Sequence, residues 1–236
     1  MNVFELELYN EKILFSVEDE YSSKWFYPRY KNNGVHERKV TELIIENCKR
    51  AKNFVDVGAH IGFFTCVVGK IFPGINVHSF EIQDTALKLL QKNIELNKLN
   101  NVRLYNCGVA DVAGVSFYQP TNFPDEKSAL TNVGKKVKTI KLDSLDFVPD
   151  VVKIDVEGTE LDVLRGMKKI LPKVKAVFVE IHPHLYEKNT IKKILECLKD
   201  FRIYEICDHR RRGDPDIIKV ESADFPYNNM LYAFRR

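Results

Sequence analysis

A chain of 236 residues, 44% of them hydrophobic, is long enough to bury one sizeable core, and no linker-like shift in composition divides it. A net charge of +3 is too small to mark nucleic acid as the main partner. The five cysteines (Cys48, Cys66, Cys107, Cys197, Cys207) are an odd count with no Cys-x-x-Cys pair, which argues against a disulfide framework and a thiolate metal cluster. No run approaches the ~20 apolar residues of a membrane helix. Glu5 and Glu7 interrupt the apolar start, so no secretory leader is read and a cytoplasmic enzyme without membrane insertion is expected.

In chain order, residues 1–20 alternate (Phe4-x-Leu6-x-Leu8, then Ile13-x-Phe15-x-Val17) around Asn10-Glu11 and predict a β-hairpin cap. Residues 21–36 read as irregular. Their stretch Tyr21-Ser-Ser-Lys-Trp-Phe-Tyr-Pro-Arg-Tyr30 is either an aromatic lid over a ligand, with Tyr27 and Arg29 touching the acceptor, or a core-packing cluster. A helix over 37–49, a strand from Asn53, a helix over 62–72 and a strand over 75–81 follow. Next come a helix with Leu87, Leu90 and Ile94 on one face, a strand over 102–106, and an added β pair at 115–118 and 137–140. A strand over 151–155, a helix over 159–170, a strand over 175–181, a helix carrying Ile191, Ile194, Leu195 and Leu198, and a closing strand pair at 202–206 and 230–234 complete the chain. This alternation predicts an α/β fold with a doubly wound, mostly parallel sheet whose ligands gather beyond the carboxyl ends of its strands. Residues 1–36 form the hairpin and lid segment and 37–236 the main domain, as one folding unit.

Within Asn53-Phe-Val-Asp-Val-Gly-Ala-His-Ile-Gly-Phe-Phe-Thr65 a strand runs through a Gly-x-x-x-Gly turn into an apolar helix. Gly58 and Gly62 let a ligand approach the backbone closely, and the helix start offers free N–H groups. Glu81, at the end of the next strand, is placed to take both hydroxyls of an adenosine ribose. His60 stands where a dinucleotide site needs glycine, which disfavours an NAD-dependent oxidoreductase. Asp56 suits a cationic ligand, and S-adenosylmethionine carries both a sulfonium and an ammonium. A bulky residue at Gly58 is expected to block the cofactor while sparing the fold.

Asp56-Val-Gly-Ala-His-Ile-Gly-Phe-Phe-Thr65, Phe80-Glu81, Val152-Lys-Ile-Asp-Val-Glu-Gly-Thr-Glu-Leu161, Val163-Leu-Arg-Gly166 and Val179-Glu-Ile-His182 together resemble the FkbM-type family of S-adenosylmethionine-dependent methyltransferases. The resemblance runs from about Glu37 to about Tyr204 and departs at His60, where the family more often has Asn. It implies a class I fold of seven strands in the order 3-2-1-4-5-7-6. It also implies a cofactor site of Glu37, Asp56, Gly58, His60, Gly62, Glu81 and Asp155, and O-methylation of a sugar or nucleotide-linked sugar in polysaccharide or secondary-metabolite synthesis. The alternatives are an N-methyltransferase, an RNA methyltransferase without an appended basic domain, or a cofactor-binding scaffold without activity.

For transfer to a hydroxyl, the available groups are Asp155, Glu157, Glu160, Glu180 and His182. His182 is the first choice for general base, because its ordinary pKa of roughly 6.5 is close to working pH. Asp155, Glu180 and Glu157 stand beside it, while Glu160 reads as first-turn helix charge. The same cluster could hold Mg²⁺ or Mn²⁺, although no metal is assigned. Clustered carboxylates need a metal, the cationic cofactor or a raised pKa to offset their repulsion. Arg210 and Arg211, within His209-Arg-Arg-Arg212, are candidates for a phosphorylated acceptor. A homodimer is left open.

Overall fold

The computed structural model describes residues 3–31, 34–119, 130–207, 216–223, 225 and 227–235. Strands β1 (Val3–Leu8) and β2 (Glu11–Ser16) form the expected hairpin, turning at Tyr9 and Asn10, both of positive φ. Residues 22–30 are helical rather than irregular: a π-helical turn, Ser22–Phe26, leads directly into α1 (Tyr27–Tyr30). The Asp19 carboxylate accepts from Ser22 N at 2.8 Å at the start of this segment, and the burial of Phe26 and Tyr30 fastens it to the core. Such side-chain capping and tertiary anchoring leave no periodic signature in so short a run.

Then follow α2 (Arg38–Cys48), β3 (Asn53–Val57), α3 (Phe63–Ile71), β4 (Asn76–Phe80), α4 (Asp84–Leu96) and β5 (Val102–Tyr105). The short strands β6 (Gly108–Val109), β7 (Gly114–Tyr118), β8 (Leu130–Thr131) and β9 (Lys135–Ile140) make a separate four-stranded sheet, which contains the expected β7–β9 pair. The chain returns through β10 (Val151–Ile154), α5 (Glu160–Gly166), β11 (Ala176–Ile181), α6 (Thr190–Cys197), β12 (Arg202–Cys207), β13 (Asp216–Lys219) and β14 (Asn229–Phe234).

The main sheet has the order β13-β12-β14-β11-β10-β3-β4-β5. Seven of these strands stand in the order the resemblance implies, and β13 is an eighth that pairs antiparallel with β12 at the edge. The seven-strand expectation is corrected on that count. The closing strands β12 and β14 pair antiparallel, so β14 runs against its parallel neighbour β11. Helix α5 is shorter than the predicted 159–170. Asp143 accepts from the N–H groups of Lys169 and Ile170 at 2.9–3.0 Å just beyond the helix end, and Pro172 follows.

Alternation along the central strands sorts side chains to two cores. Val55, Val57, Val152, Ile154, Val177 and Val179 meet α5 and α6, while Phe54, Val151, Ala176 and Phe178 meet α2, α3 and the hairpin. Leu6, Ile13 and Phe15 of the hairpin belong to the second core, together with Phe26 and Tyr30 of the helical segment. Asn93 and Asn97 of α4 fasten the hairpin through bonds to the backbone of Ser16 and Leu14. Among the described residues, no helix is long and apolar enough to cross a membrane.

Candidate active site

A cavity of about 430 Å³ opens at the carboxyl ends of β3, β4, β10 and β11, where the doubly wound pattern predicts a ligand site. Strand parity determines which groups reach it. Lys153 lies directly opposite Asp56 in the β10–β3 register, on the α2–α3 side of the sheet. Buried Lys153 donates to the Gly58 carbonyl at 3.0 Å and to Asp155 Oδ2 at 3.2 Å, and stands 3.6 Å from Asp56 Oδ1. Burial pushes its ammonium pKa down, but the carboxylates of Asp155, Asp56, Glu37 and Glu180 outweigh that and raise it, so Lys153 remains charged.

Asp56 departs from expectation. Its fully buried carboxylate accepts from Thr65 Oγ1 at 2.8 Å and does not line the cavity, so the cation it meets is the chain's own lysine. Burial raises its pKa, against the opposing pull of Lys153 and Thr65.

The turn after β3 does line the cavity at Gly58 and His60. Gly58 has φ +75°, and a Cβ there would stand 1.7 Å from the Asp155 carbonyl oxygen. The expectation that a bulky residue at Gly58 spares the fold is therefore corrected: the glycine is required where β3 and β10 leave the sheet side by side. Gly62 (φ +87°) does not line the cavity. It makes room for Leu90 of α4, whose Cδ1 would lie 2.2 Å from an added Cβ. Glu81 braces the turn, accepting from His60 N at 2.7 Å and from Ile82 N and Gln83 N at 2.8 Å each. A carboxylate has about four lone-pair sites, so capacity remains for a ligand hydroxyl on the cavity side. Burial raises the Glu81 pKa, with those backbone bonds pulling the other way.

His182 is almost fully buried and reaches the cavity wall. Its Nδ1 lies 2.8 Å from Glu160 Oε1, and its Nε2 faces Glu157 Oε2 at 3.3 Å, Glu180 Oε1 at 3.6 Å and Asp155 Oδ1 at 3.9 Å. Glu160 also accepts from Gly158 N at 3.0 Å and from the Tyr186 hydroxyl at 2.9 Å, and the same hydroxyl accepts from His182 N at 3.1 Å. Burial pushes the His182 pKa down, but the bond to Glu160 and the charges of Asp155 and Glu157 outweigh it, so the imidazole titrates above its ordinary value. Burial, Asp155 and Glu37 raise Glu180 well above its ordinary value, whereas Lys153 and His182 overcome burial to keep Asp155 low. This raised pKa, together with Lys153, offsets the carboxylate repulsion noted in the sequence. Asp155, Glu157 and His182 could also hold a cation, since ligand atoms from the three lie within 4.8 Å of one another.

Glu37, of φ +53°, also lines the cavity, at the start of α2. Trp25 and Arg29 line the cavity from the helical segment above it, with the guanidinium 5.0 Å from the Trp25 ring centroid. Tyr27, also expected at the acceptor, instead packs edge-on against Phe4 of the hairpin at 5.3 Å and is not part of the wall. Arg210 and Arg211 lie outside the described residues.

The structure thus brings together His182, Asp155, Glu180, Glu157, Glu37, Gly58, His60, Glu81 and Arg29. Reading the sequence missed the roles of Lys153, Glu160 and Tyr186. A lysine inside the apolar run Val151-Val-Lys-Ile154 was the available signal, because a charge within a buried parallel strand needs a partner there.

This sheet order, with a glycine turn after the first parallel strand and a buried acid after the second, defines the class I methyltransferase architecture. In fold the chain is similar to an rRNA methylase from Streptococcus thermophilus (TM-score 0.51, 11% identity, 85% of this chain and 96% of that one). It is similar also to magnesium protoporphyrin IX methyltransferase from Synechocystis PCC 6803 (TM-score 0.50, 13% identity, 92% and 94%). The methyltransferase FkbM domain matches residues 56–210, and the chain belongs to this family of S-adenosylmethionine-dependent methyltransferases. Among its relatives, hexuronic acid methyltransferase AglP of Haloferax volcanii is 30% identical over 167 residues, covering 68% of each chain. Methyltransferase sdnD of Sordaria araneosa is 27% identical over 229 residues, 77% of this chain and 87% of that protein.

Proposed function

We propose that the protein transfers a methyl group from S-adenosylmethionine to a hydroxyl of a small polar acceptor, a sugar or a nucleotide-linked sugar. The observation that carries the transfer to oxygen is the pairing of His182 with buried Glu160, which turns Nε2 toward the cavity. The name of the Haloferax relative supports the sugar.

The residues present fit the cofactor. Glu81 has acceptor capacity for a ribose hydroxyl, and Glu37, Asp155 and Glu157 line the cavity with acid suited to a cationic ligand. When bound, the cofactor supplies an electrophilic methyl on a positively charged sulfur. Glu160 holds the Nδ1 proton of His182, so that neutral imidazole presents its Nε2 lone pair to the acceptor. Nε2 takes the hydroxyl proton as the oxygen is methylated, and Glu160, Asp155 and Glu157 then stabilise the imidazolium. The positive charge of the cofactor opposes the rise that the surrounding acids give the His182 pKa.

Thermal unfolding with added S-adenosylhomocysteine, S-adenosylmethionine and NAD tests the cofactor site, because a ligand of the folded state raises Tm by mass action. The two sulfur ligands raise Tm and NAD does not. In Glu81→Ala their affinity falls by roughly 2–3 kcal/mol, and Glu81→Gln loses less. Equal shifts for wild type and Glu81→Ala would remove Glu81 from the ribose site.

A further inference from the structure

Trp25 and Arg29 lie four residues apart on one helical segment at the mouth of the cavity. They are not loose surface side chains. The intervening Phe26 and the following Tyr30 are buried, with ring centroids 4.4 Å apart, and both pack against Phe63 of α3. That root fixes the segment, while the neighbouring Trp25 is left 50% exposed with the guanidinium of Arg29 above its ring. Two other basic groups of the cavity are already committed: Lys153 to Gly58 and Asp155, and His182 to Glu160. Arg29 is half-buried, and among the described residues no carboxylate comes within 4.0 Å of it.

The acids have the reverse distribution. Glu37, Glu81, Asp155, Glu157 and Glu180 line the cavity, which suits a cationic cofactor and repels a negative acceptor. A negative group can enter this site only with its charge held away from that lining.

We infer that the acceptor carries an anionic group, a carboxylate or a phosphate, which Arg29 binds at the rim while Trp25 supports the apolar face of the sugar ring. The inference rests on the methyl-transfer reading above. The guanidinium fork matches the two oxygens of either anion, and its stacking on Trp25 holds that fork in one plane. Such an anchor directs the acid group outward and the hydroxyl inward to His182, so it selects both the acceptor and its orientation.

Calorimetric titration of the protein saturated with S-adenosylhomocysteine tests this with three probes: methyl glucuronoside, glucose 1-phosphate and neutral methyl glucoside. One of the two anionic probes binds roughly 10–100-fold more tightly than the neutral glycoside, and which one does so identifies carboxylate or phosphate as the group recognised. Arg29→Met removes that advantage, Arg29→Lys keeps part of it, and both retain wild-type affinity for S-adenosylhomocysteine. The inference is overturned if methyl glucoside binds as well as both anions, if neither anion binds, or if Arg29→Met leaves the preferred anion unaffected. Failure of S-adenosylhomocysteine itself to bind would instead contradict the methyl-transfer reading.

Discussion

At the residue scale, the chemistry depends on how His182 is held. The sequence placed a histidine beside strand-end acids and suggested titration near 6–7, but it assigned Glu160 to helix charge. In the fold Glu160 is wholly buried and bonds to Nδ1, which no spacing rule reveals because its partner is 22 residues away on another element. The consequence is a signed pH prediction. With the His182 pKa raised, the proton leaves later, and kcat/KM rises with pH through a midpoint above roughly 6.5. His182→Ala should lower kcat by ~10²–10⁴ and abolish that limb. Glu160→Gln should move the limb to lower pH, because one cause of the raised pKa is gone, and should slow transfer without altering cofactor affinity. Added chelator should leave the rate intact, since Lys153 and His182 already stand among these acids. A rate abolished by chelator and restored by Mg²⁺ would make His182 a ligand instead of a base.

At the element scale, periodicity located every long helix and all seven expected strands, since each buries an apolar face whose period the sequence displays. What it missed was short and held by tertiary contacts. Strand β13 has only the central pair Ile217-Ile218 as a signal, the π-helical turn depends on Asp19 and the burial of Phe26, and α5 is cut short by Asp143 on another segment. The order the resemblance implies already sets β3 beside β10, but their register, which puts Lys153 opposite Asp56, was hidden. Removing one charge of that buried pair strands the other. Lys153→Met should cost about 3–5 kcal/mol of stability, and Asp56→Asn in the same chain should recover most of it. Urea unfolding of wild type, single and double variants checks this. A double variant no more stable than Lys153→Met would show that the lysine acts through Gly58 and Asp155 rather than through Asp56.

At the scale of the whole molecule, the acid-lined cavity takes its walls from separate regions of the chain: the segment after the hairpin, the starts of α2 and α3, and the ends of β4, β10 and β11. The hairpin shares a core with α2 and α3, which seats the segment that follows it against that space. The most direct test of the central claim is to incubate the protein with S-adenosylmethionine carrying a ¹³C-labelled methyl group and the anionic sugar that binds best, and to locate the label by NMR. A labelled methoxyl carbon on a ring hydroxyl is expected, formed together with an equal amount of S-adenosylhomocysteine and lost in His182→Ala. A label on nitrogen or on the acid group, or S-adenosylmethionine left unconsumed while the sugar is bound, would contradict it.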